Sequence, residues 1–338
     1  MLVRYADSLT VGIVGKVATQ SKSGRHITPN GLVGFIVCLV FIEGNSLIES
    51  MNRKVWIGAG VFGAIALVIG TKVLVSQAAA KELDKAIADV SDYVDIDYQK
   101  VDVSLLGRGT TVKDVVITPA ASGNAVRVDE MTLYKYKDQD KVPTYLSMAV
   151  KGIALDTTAL GENAEMFSEL GYDKQLSANI ITEYEYEAED KTVEIKQLKF
   201  GADQVGDMEV TLELGNIALD QAAIESFPLS LIGAQFEGAK ITYEDDSFIK
   251  RLFETTAAAE GISVEEAKAE AIAGLEDEVA NSENPLSPEF IEEMKDFIED
   301  PDSFSITFDP EQPVPLTALM TIGGPEDLVE LLNVQFES

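Results

Sequence analysis

Residues 208–214 read MEVTLEL, in which apolar and polar side chains alternate without a break. Successive side chains of a β-strand point to opposite faces, so this stretch predicts a strand with one buried and one wet face. Toward the amino terminus, residues 180–187 and 192–200 flank Glu189-Asp190-Lys191 as a predicted hairpin, and a second turn lies near Gly206-Asp207. Two-faced strands joined by short turns predict an antiparallel meander.

The alternation extends over the earlier part of the chain, and a short sequence motif occurs twice. Apolar and polar residues alternate within 94–105 and again within 112–133, after a helical pattern at 78–90. The sequence Ile-Ala-Leu-Asp occurs at 153–156 and again at 217–220. Repeated strand units of this kind predict an elongated sheet built by stacking.

Helical signals return after residue 246. Ser247 is a predicted N-cap for a helix that ends at Gly261, and Ser263 with Glu266 forms a capping box before an Ala- and Glu-rich helix. These signals predict a helical layer or lid over about residues 247–300. The predicted helices run over 247–260, 263–280 and 288–300, and are followed by a strand at 304–308 and a short helix at 325–332.

A basic pair, Arg53 and Lys54, precedes a long apolar run that reaches Val75. Its length approaches the ~20 residues that cross a bilayer as a helix. Bases on the amino side favour a cytoplasmic amino terminus and an exported carboxyl side. The sequence therefore predicts a membrane anchor over 51–80, with the apolar side chains Val55, Trp56, Ile57, Val61, Phe62, Ile65, Leu67, Val68, Ile69, Val73, Leu74 and Val75.

A cleavable signal peptide is the alternative, because Ala78-Ala79-Ala80 follows the apolar run as a cleavage site would. Residues 1–50 are unlike the rest of the chain. Met51-Asn52-Arg53-Lys54 resembles a bacterial start, so the first fifty residues are interpreted as a mis-annotated extension or a disordered cytoplasmic tail.

The charge balance is strongly acidic. Lys and Arg total 26 against 58 Asp and Glu, a net charge of −32, and the whole acidic excess follows residue 80, because the first 80 residues carry more basic than acidic side chains. Such a surface repels phosphate backbones, so no nucleic-acid partner is expected. The acidity indicates either adaptation to a salty medium or a cation-rich partner or ion site.

Residues able to do chemistry are few. The only cysteine is Cys38 and the only histidine is His26, so the chain after residue 80 has no thiol or imidazole for nucleophilic or metal chemistry. Gly107-Arg108-Gly109 lacks the Lys-Ser/Thr ending of a phosphate loop and is interpreted as a strand break. No catalytic residue, cofactor or metal site is therefore predicted. Acidic clusters at 138–140, 183–190, 244–246 and 299–302 are interpreted as solvated surface.

The predicted fold class is α+β: an N-terminal transmembrane helix, then an elongated, mainly antiparallel β-sheet domain with the helical layer. The predicted divisions are 1–50, 51–80, 81–246 and 247–338, the last two within one domain.

Three segments carry a family resemblance. VDIDYQKVDVSLLG (94–107) and TVKDVVITP (111–119) resemble the opening of the AsmA-like and YdgA-like bacterial envelope proteins, and ITYEDDSFIKRLF (241–253) is similar to the YdgA-like group in particular. The resemblance implies an inner-membrane protein of a Gram-negative bacterium with its bulk in the periplasm. It also implies an apolar groove associated with phospholipid traffic, and carries over no catalytic residue.

Three functions follow as hypotheses. In the first, the exported sheet handles or senses lipid without catalysis, with the membrane and a phospholipid as partners. In the second, it is a scaffold that docks another envelope protein. The third, a hydrolase using carboxylates and a metal, ranks last because the abundant acids single out no pair.

Overall fold

The computed structural model describes residues 79–91, 94–103, 109–120, 123, 125–139, 142–159, 163–219, 233–281, 288–319 and 325–338. Twelve strands form one sheet. They are β1 (Val94–Asp97), β2 (Lys100–Val103), β3 (Thr110–Pro119), β4 (Val126–Gln139), β5 (Val142–Asp156), β6 (Gln175–Glu187), β7 (Thr192–Ala202), β8 (Gly206–Gly215), β9 (Gln235–Asp245), β10 (Ser303–Phe308), β11 (Val314–Pro315) and β12 (Val334–Glu337).

Seven helices accompany the sheet among the described residues. They are α1 (Ala79–Val90), α2 (Asn163–Glu169), α3 (Phe248–Glu260), α4 (Val264–Asn281), α5 (Pro288–Glu299), α6 (Leu316–Leu319) and α7 (Pro325–Leu332), with a 3₁₀ turn at Thr157–Ala159.

The sheet is a meander. From β3 to β10 each strand pairs with the next along the chain, and β12 follows β10. Strands β1 and β2 both pair with β3, and β11 pairs with β9, all antiparallel. Short connections join β4 to β5, β6 to β7 and β7 to β8, and a short turn can only return the chain beside the strand it has just left. Longer connections that contain helices join β5 to β6 and β9 to β10.

One face of the sheet is mostly apolar. In an antiparallel ladder, directly paired residues point to the same face. Leu212 pairs with Ile195 on one side and Ala239 on the other, whereas its sequence neighbour Glu213 pairs with Glu194 and Gly238. The alternation of MEVTLEL is thus repeated in register across its neighbours.

Three buried clusters cover parts of that apolar face. The first lies under α3, α4 and α5 and includes Phe290, Phe297 and Ile306. The second lies at the β1–β5 end, where Leu83 of α1 is 1% exposed. The third joins Phe236 to β11 and α7. Each fully buried aliphatic or aromatic side chain contributes about 1.5–3 kcal/mol to the gross burial energy.

The structure corrects the predicted fold class, α+β with an N-terminal transmembrane helix. The described chain is mostly one large antiparallel sheet with few helices. No helix in the described part is both long and apolar enough to cross a membrane. The longest of them, α4, has 18 residues and carries acidic side chains, so it serves as a cover for the sheet.

The residues of the predicted anchor, and its basic flank Arg53 and Lys54, lie outside the described residues, as do 1–50. The division between 246 and 247 stays a prediction. The sheet itself continues across that point, since β9 before it pairs with β10 after it.

Candidate apolar binding strip

A part of the apolar sheet face lies between the covered clusters and belongs to none of them. We call it the apolar strip. Its side chains are half-buried, except that Phe200 is 41% exposed. The strip consists of Tyr184, Ile195, Leu198, Phe200, Met208 and Val210.

The strip is held on inner strands. Strands β6, β7 and β8 are each paired on both sides, so the strip's backbone is satisfied by the ladder and only its side chains face outward. On one side β5 leads to the second cluster, which includes Met148 and Val150. On the other side β9 and β10 lead to the first cluster, which includes Phe304. The strip therefore lies on the sheet between two covered regions.

A bulge in β7 keeps the strip apolar. Ile195 pairs with Leu212, but the next paired residue is Leu198 with Val210, so two residues of β7 oppose one of β8. Strict alternation from Ile195 would put Leu198 on the polar face. The extra residue restores it to the apolar face. Lys196, within the bulge, points to the polar face and pairs with Glu185 at 2.5 Å.

A row of tyrosines borders one end of the strip. Tyr184 donates to the carbonyl oxygen of Pro143 at 3.2 Å, and the Tyr186 hydroxyl accepts the backbone N–H of Leu219 at 3.1 Å. Burial, followed by the neighbouring Tyr186 and Tyr136, raises the pKa of Tyr184 to about 12. The Tyr184 phenol therefore stays protonated and neutral near pH 7.

Tyr136 of β4 completes that row. Its side chain is 9% exposed, and its hydroxyl has no hydrogen-bond partner among the described residues. Register places Tyr136 opposite Leu146, which lies opposite Tyr184. No sequence signal singled out Tyr136. Tyr184 and Tyr186 share one sheet face, as their spacing predicts, and β6 is an inner strand, so they shield no sheet edge.

The opposite face of the same strands is polar, and its side chains form ion pairs and hydrogen bonds between strands. Lys199 contacts Asp207 at 3.0 Å and Glu244 at 3.1 Å. Tyr145 donates to Glu183 at 2.6 Å. Mixed charges in register of this kind suit a solvated sheet face.

The acidic cluster at 244–246 is used by the fold. Glu244 binds Lys199, and Asp245 accepts hydrogen bonds from Tyr243 and from the backbone of Ile249. Asp140 lies outside the described residues. Within the described ranges, no group of three or more His, Cys, Asp or Glu could hold a metal ion.

Comparison with known proteins adds one match. A family model described as an uncharacterized protein matches residues 199–338. The matched segment begins in β7 and includes Phe200, Met208 and Val210 of the strip, together with the helices that cover the sheet beyond it. No curated protein matches the chain. The resemblance to AsmA-like and YdgA-like proteins stays a prediction.

Proposed function

We propose that the protein handles or senses lipid without catalysing a reaction, and that an acyl chain lies on the apolar strip. The observation that carries the proposal is the strip itself. Six apolar side chains stand on the inner strands of a folded sheet, outside every buried cluster of the described chain. Contiguous apolar surface on a folded protein is typical of a binding site.

The dimensions suit an extended hydrocarbon chain. From Ile195 to Phe200 the strand rise gives a length of roughly 16 Å, and the two spacings between β6 and β8 give a width of roughly 10 Å. Each methylene group buried there contributes about 0.8 kcal/mol. A flat apolar surface with few polar partners distinguishes poorly between acyl chains, which suits a carrier or sensor of bulk lipid.

The same proposal places the protein in the periplasm of a Gram-negative bacterium, anchored to the inner membrane. Its support is the pattern of Arg53, Lys54 and the apolar residues after them, together with the family resemblance. A reporter that is active only outside the cytoplasm, fused after Ser338, tests the location. Activity of the reporter supports the periplasm, and its absence with a stable fusion overturns it.

A photo-crosslinking experiment on the full chain tests the lipid. The probe is phosphatidylethanolamine with a diazirine on one acyl chain, incorporated in vesicles, and crosslinked residues are mapped by peptide mass spectrometry. We expect adducts at strip positions such as Phe200, Met208 and Val210. Adducts spread equally over both sheet faces, or their absence from the sheet, would overturn the proposal.

Two aspartate variants make the test specific. Phe200→Asp places a charge on the exposed part of the strip, and we expect it to lower crosslinking at least fivefold. Thr211→Asp places the same charge on the polar face of β8, next to Val210, and should leave crosslinking unchanged. Circular dichroism of both variants checks the fold. If neither variant changes the crosslinking yield, the scaffold hypothesis is preferred, and the next experiment is to identify proteins that co-purify with the chain.

A further inference from the structure

We infer that the outer edge of β12 binds an extended, basic segment of another protein, which adds to the sheet as a further antiparallel strand. β12 lies beyond β9 and β10, outside the apolar strip, so this contact is independent of lipid on the strip. The observation behind it is a set of main-chain groups that the sheet leaves unpaired.

In the described part of the chain β12 forms one end of the sheet and pairs with β10 alone. Asp245 donates its N–H to the carbonyl oxygen of Asp302 at 2.8 Å, and the register of β9 with β10 continues from that pair. Alternate residues of an antiparallel strand bond to opposite sides. Ser305 and Thr307 of β10 therefore bond toward β12.

The free groups of β12 follow from that pattern. The β10 residues that bond toward β12 lie opposite Glu337 and Gln335, so these two direct their N–H and C=O groups toward β10. The N–H and C=O groups of Val334 and Phe336 then point away from the sheet, and no described residue pairs with them. Unpaired main-chain groups on an edge strand are a template for another strand.

Packing holds β12 in place from one face. The Phe336 ring, 4% exposed, has its centroid 4.7 Å from that of Phe290 in α5 and 6.4 Å from that of Phe304. Val334 shares the apolar face with Phe336, whereas Glu337 lies on the polar face with its side chain 71% exposed. An added strand of alternating apolar and polar residues would therefore continue both faces of the sheet.

The charge around this edge selects the partner. Residues 325–338 contain four acidic side chains and no Lys or Arg. Lys240 contacts Glu337 at 3.6 Å, but most of the Glu337 side chain stays exposed. A second copy would bring the same acidic edge and the same net charge of −32, and would be repelled. Lys or Arg side chains of an added strand, placed beside Glu337, would be attracted.

Peptides of alternating valine and lysine test the edge. The probe is acetyl-VKVKVKV-amide carrying a fluorophore, and its binding to the full-length protein is measured by fluorescence anisotropy. We expect it to bind, and the same peptide with glutamate in place of lysine to bind at least about tenfold more weakly. Binding of both peptides with equal affinity, or of neither, overturns the inference and leaves the proposed function standing.

Methylation of the peptide backbone separates strand pairing from simple attraction of charge. Directly opposed residues share a face, so a valine of the probe lies opposite Phe336 and exchanges both main-chain bonds with it. Methylating the main-chain nitrogens of the valines should weaken binding about tenfold, as the loss of two hydrogen bonds permits. Methylating those of the lysines, with the same composition and charge, should leave binding unchanged. Any other order of the two peptides overturns the inference.

Two lysine variants of the protein locate the contact. Glu337→Lys should weaken binding of the probe about fivefold. Asp95→Lys is the matched control, because it makes the same change in net charge on an exposed residue of β1, at the opposite end of the sheet. Circular dichroism checks the fold of both. Equal losses in the two variants would show general attraction to an acidic protein and overturn the inference. A dimer of the protein alone that the probe dissociates would show that a second copy occupies the edge, and would overturn the choice of partner.

Discussion

Tyr243 donates a hydrogen bond of 2.6 Å to Asp245 Oδ1, and the same oxygen accepts the backbone N–H of Ile249 at 3.0 Å. One carboxylate thereby joins the end of β9 to the first turn of α3. Ser247 occupies the N-cap position of this helix, as the sequence predicted. The Ser247 side chain makes no capping bond and donates instead to the carbonyl oxygen of Gln204. A carboxylate is well placed there because the helix N-terminus carries partial positive charge.

Asp245→Ala should therefore lower the free energy of unfolding by about 2 kcal/mol, because the half-buried Tyr243 hydroxyl and an end-of-helix N–H both lose their acceptor. Urea denaturation monitored by circular dichroism measures the change. Asp246→Ala is the control, since Asp246 is exposed and accepts no hydrogen bond that holds α3; its cost should stay below about 0.5 kcal/mol. Equal losses in the two variants would contradict this role for Asp245.

Local signals in the sequence located many elements. The alternation at 208–214 lies within β8, and the Ser263–Glu266 capping box is present, with Ser263 N–H donating to Glu266 Oε2 at 2.8 Å. Gly261 ends α3 with φ of +72°, as a C-terminal glycine does. These features depend on residues close together in the chain. The predicted fold class is wrong because it gave the helices a larger share of the fold than they have among the described residues.

Bulges explain why the sequence did not predict the apolar strip or the buried Tyr136. Tyr134 and Tyr136 are two apart in β4, so simple alternation puts them on one face. A register shift between Leu133 and Lys135 separates them, leaving Tyr134 43% exposed and Tyr136 9% exposed. The uncovered state of the strip is likewise invisible in the sequence, because it depends on where distant helices pack.

Alkaline pH should destabilise the protein in part through Tyr184. Its folded-state pKa is raised to about 12, against about 10 for an unperturbed tyrosine. The contribution to stability is complete below pH 10 and is lost between about pH 10 and 12, because the unfolded chain releases the proton first. Tyr184→Phe should flatten the fall of unfolding free energy in that window, measured by urea denaturation at several pH values. Wild-type and variant curves that run parallel there would contradict the assignment.

The carboxyls of Glu213 and Glu237 work against the fold at neutral pH. Burial, and then Glu237, raises the pKa of Glu213. A raised folded-state pKa means that the folded protein disfavours the ionised carboxylate. The resulting loss of unfolding free energy is absent at low pH and develops as the pH rises through the folded-state pKa. Glu213→Gln should therefore stabilise the protein at pH 7 by a few tenths of a kcal/mol. The gain is small because most of the Glu213 side chain remains in contact with solvent, which screens the repulsion.

The reciprocal variant provides the control for this pair. Glu237→Gln removes the same repulsion and should give a similar gain, and the double variant should add little to either single one. Thermal denaturation at pH 7 and near pH 4 measures all three. Gains that persist unchanged at pH 4, or that add fully in the double variant, would show that the two carboxyls do not interact.

Gly109 is required by the backbone at the start of β3. Its φ is +103°, and a Cβ there would lie 2.2 Å from the carbonyl oxygen of Leu133 in β4. Gly109→Ala should cost at least about 2 kcal/mol, since positive φ and a clash with backbone combine. Gly123 also has positive φ (+66°), but nothing lies within 4 Å of its Cβ position, so Gly123→Ala should cost only about 1 kcal/mol. Thermal denaturation of the two variants measures both losses: a larger loss at Gly109 is expected, and equal losses would mean that the strand pair opens to accept the methyl group. Gly107 and Arg108 of the predicted strand break lie outside the described residues.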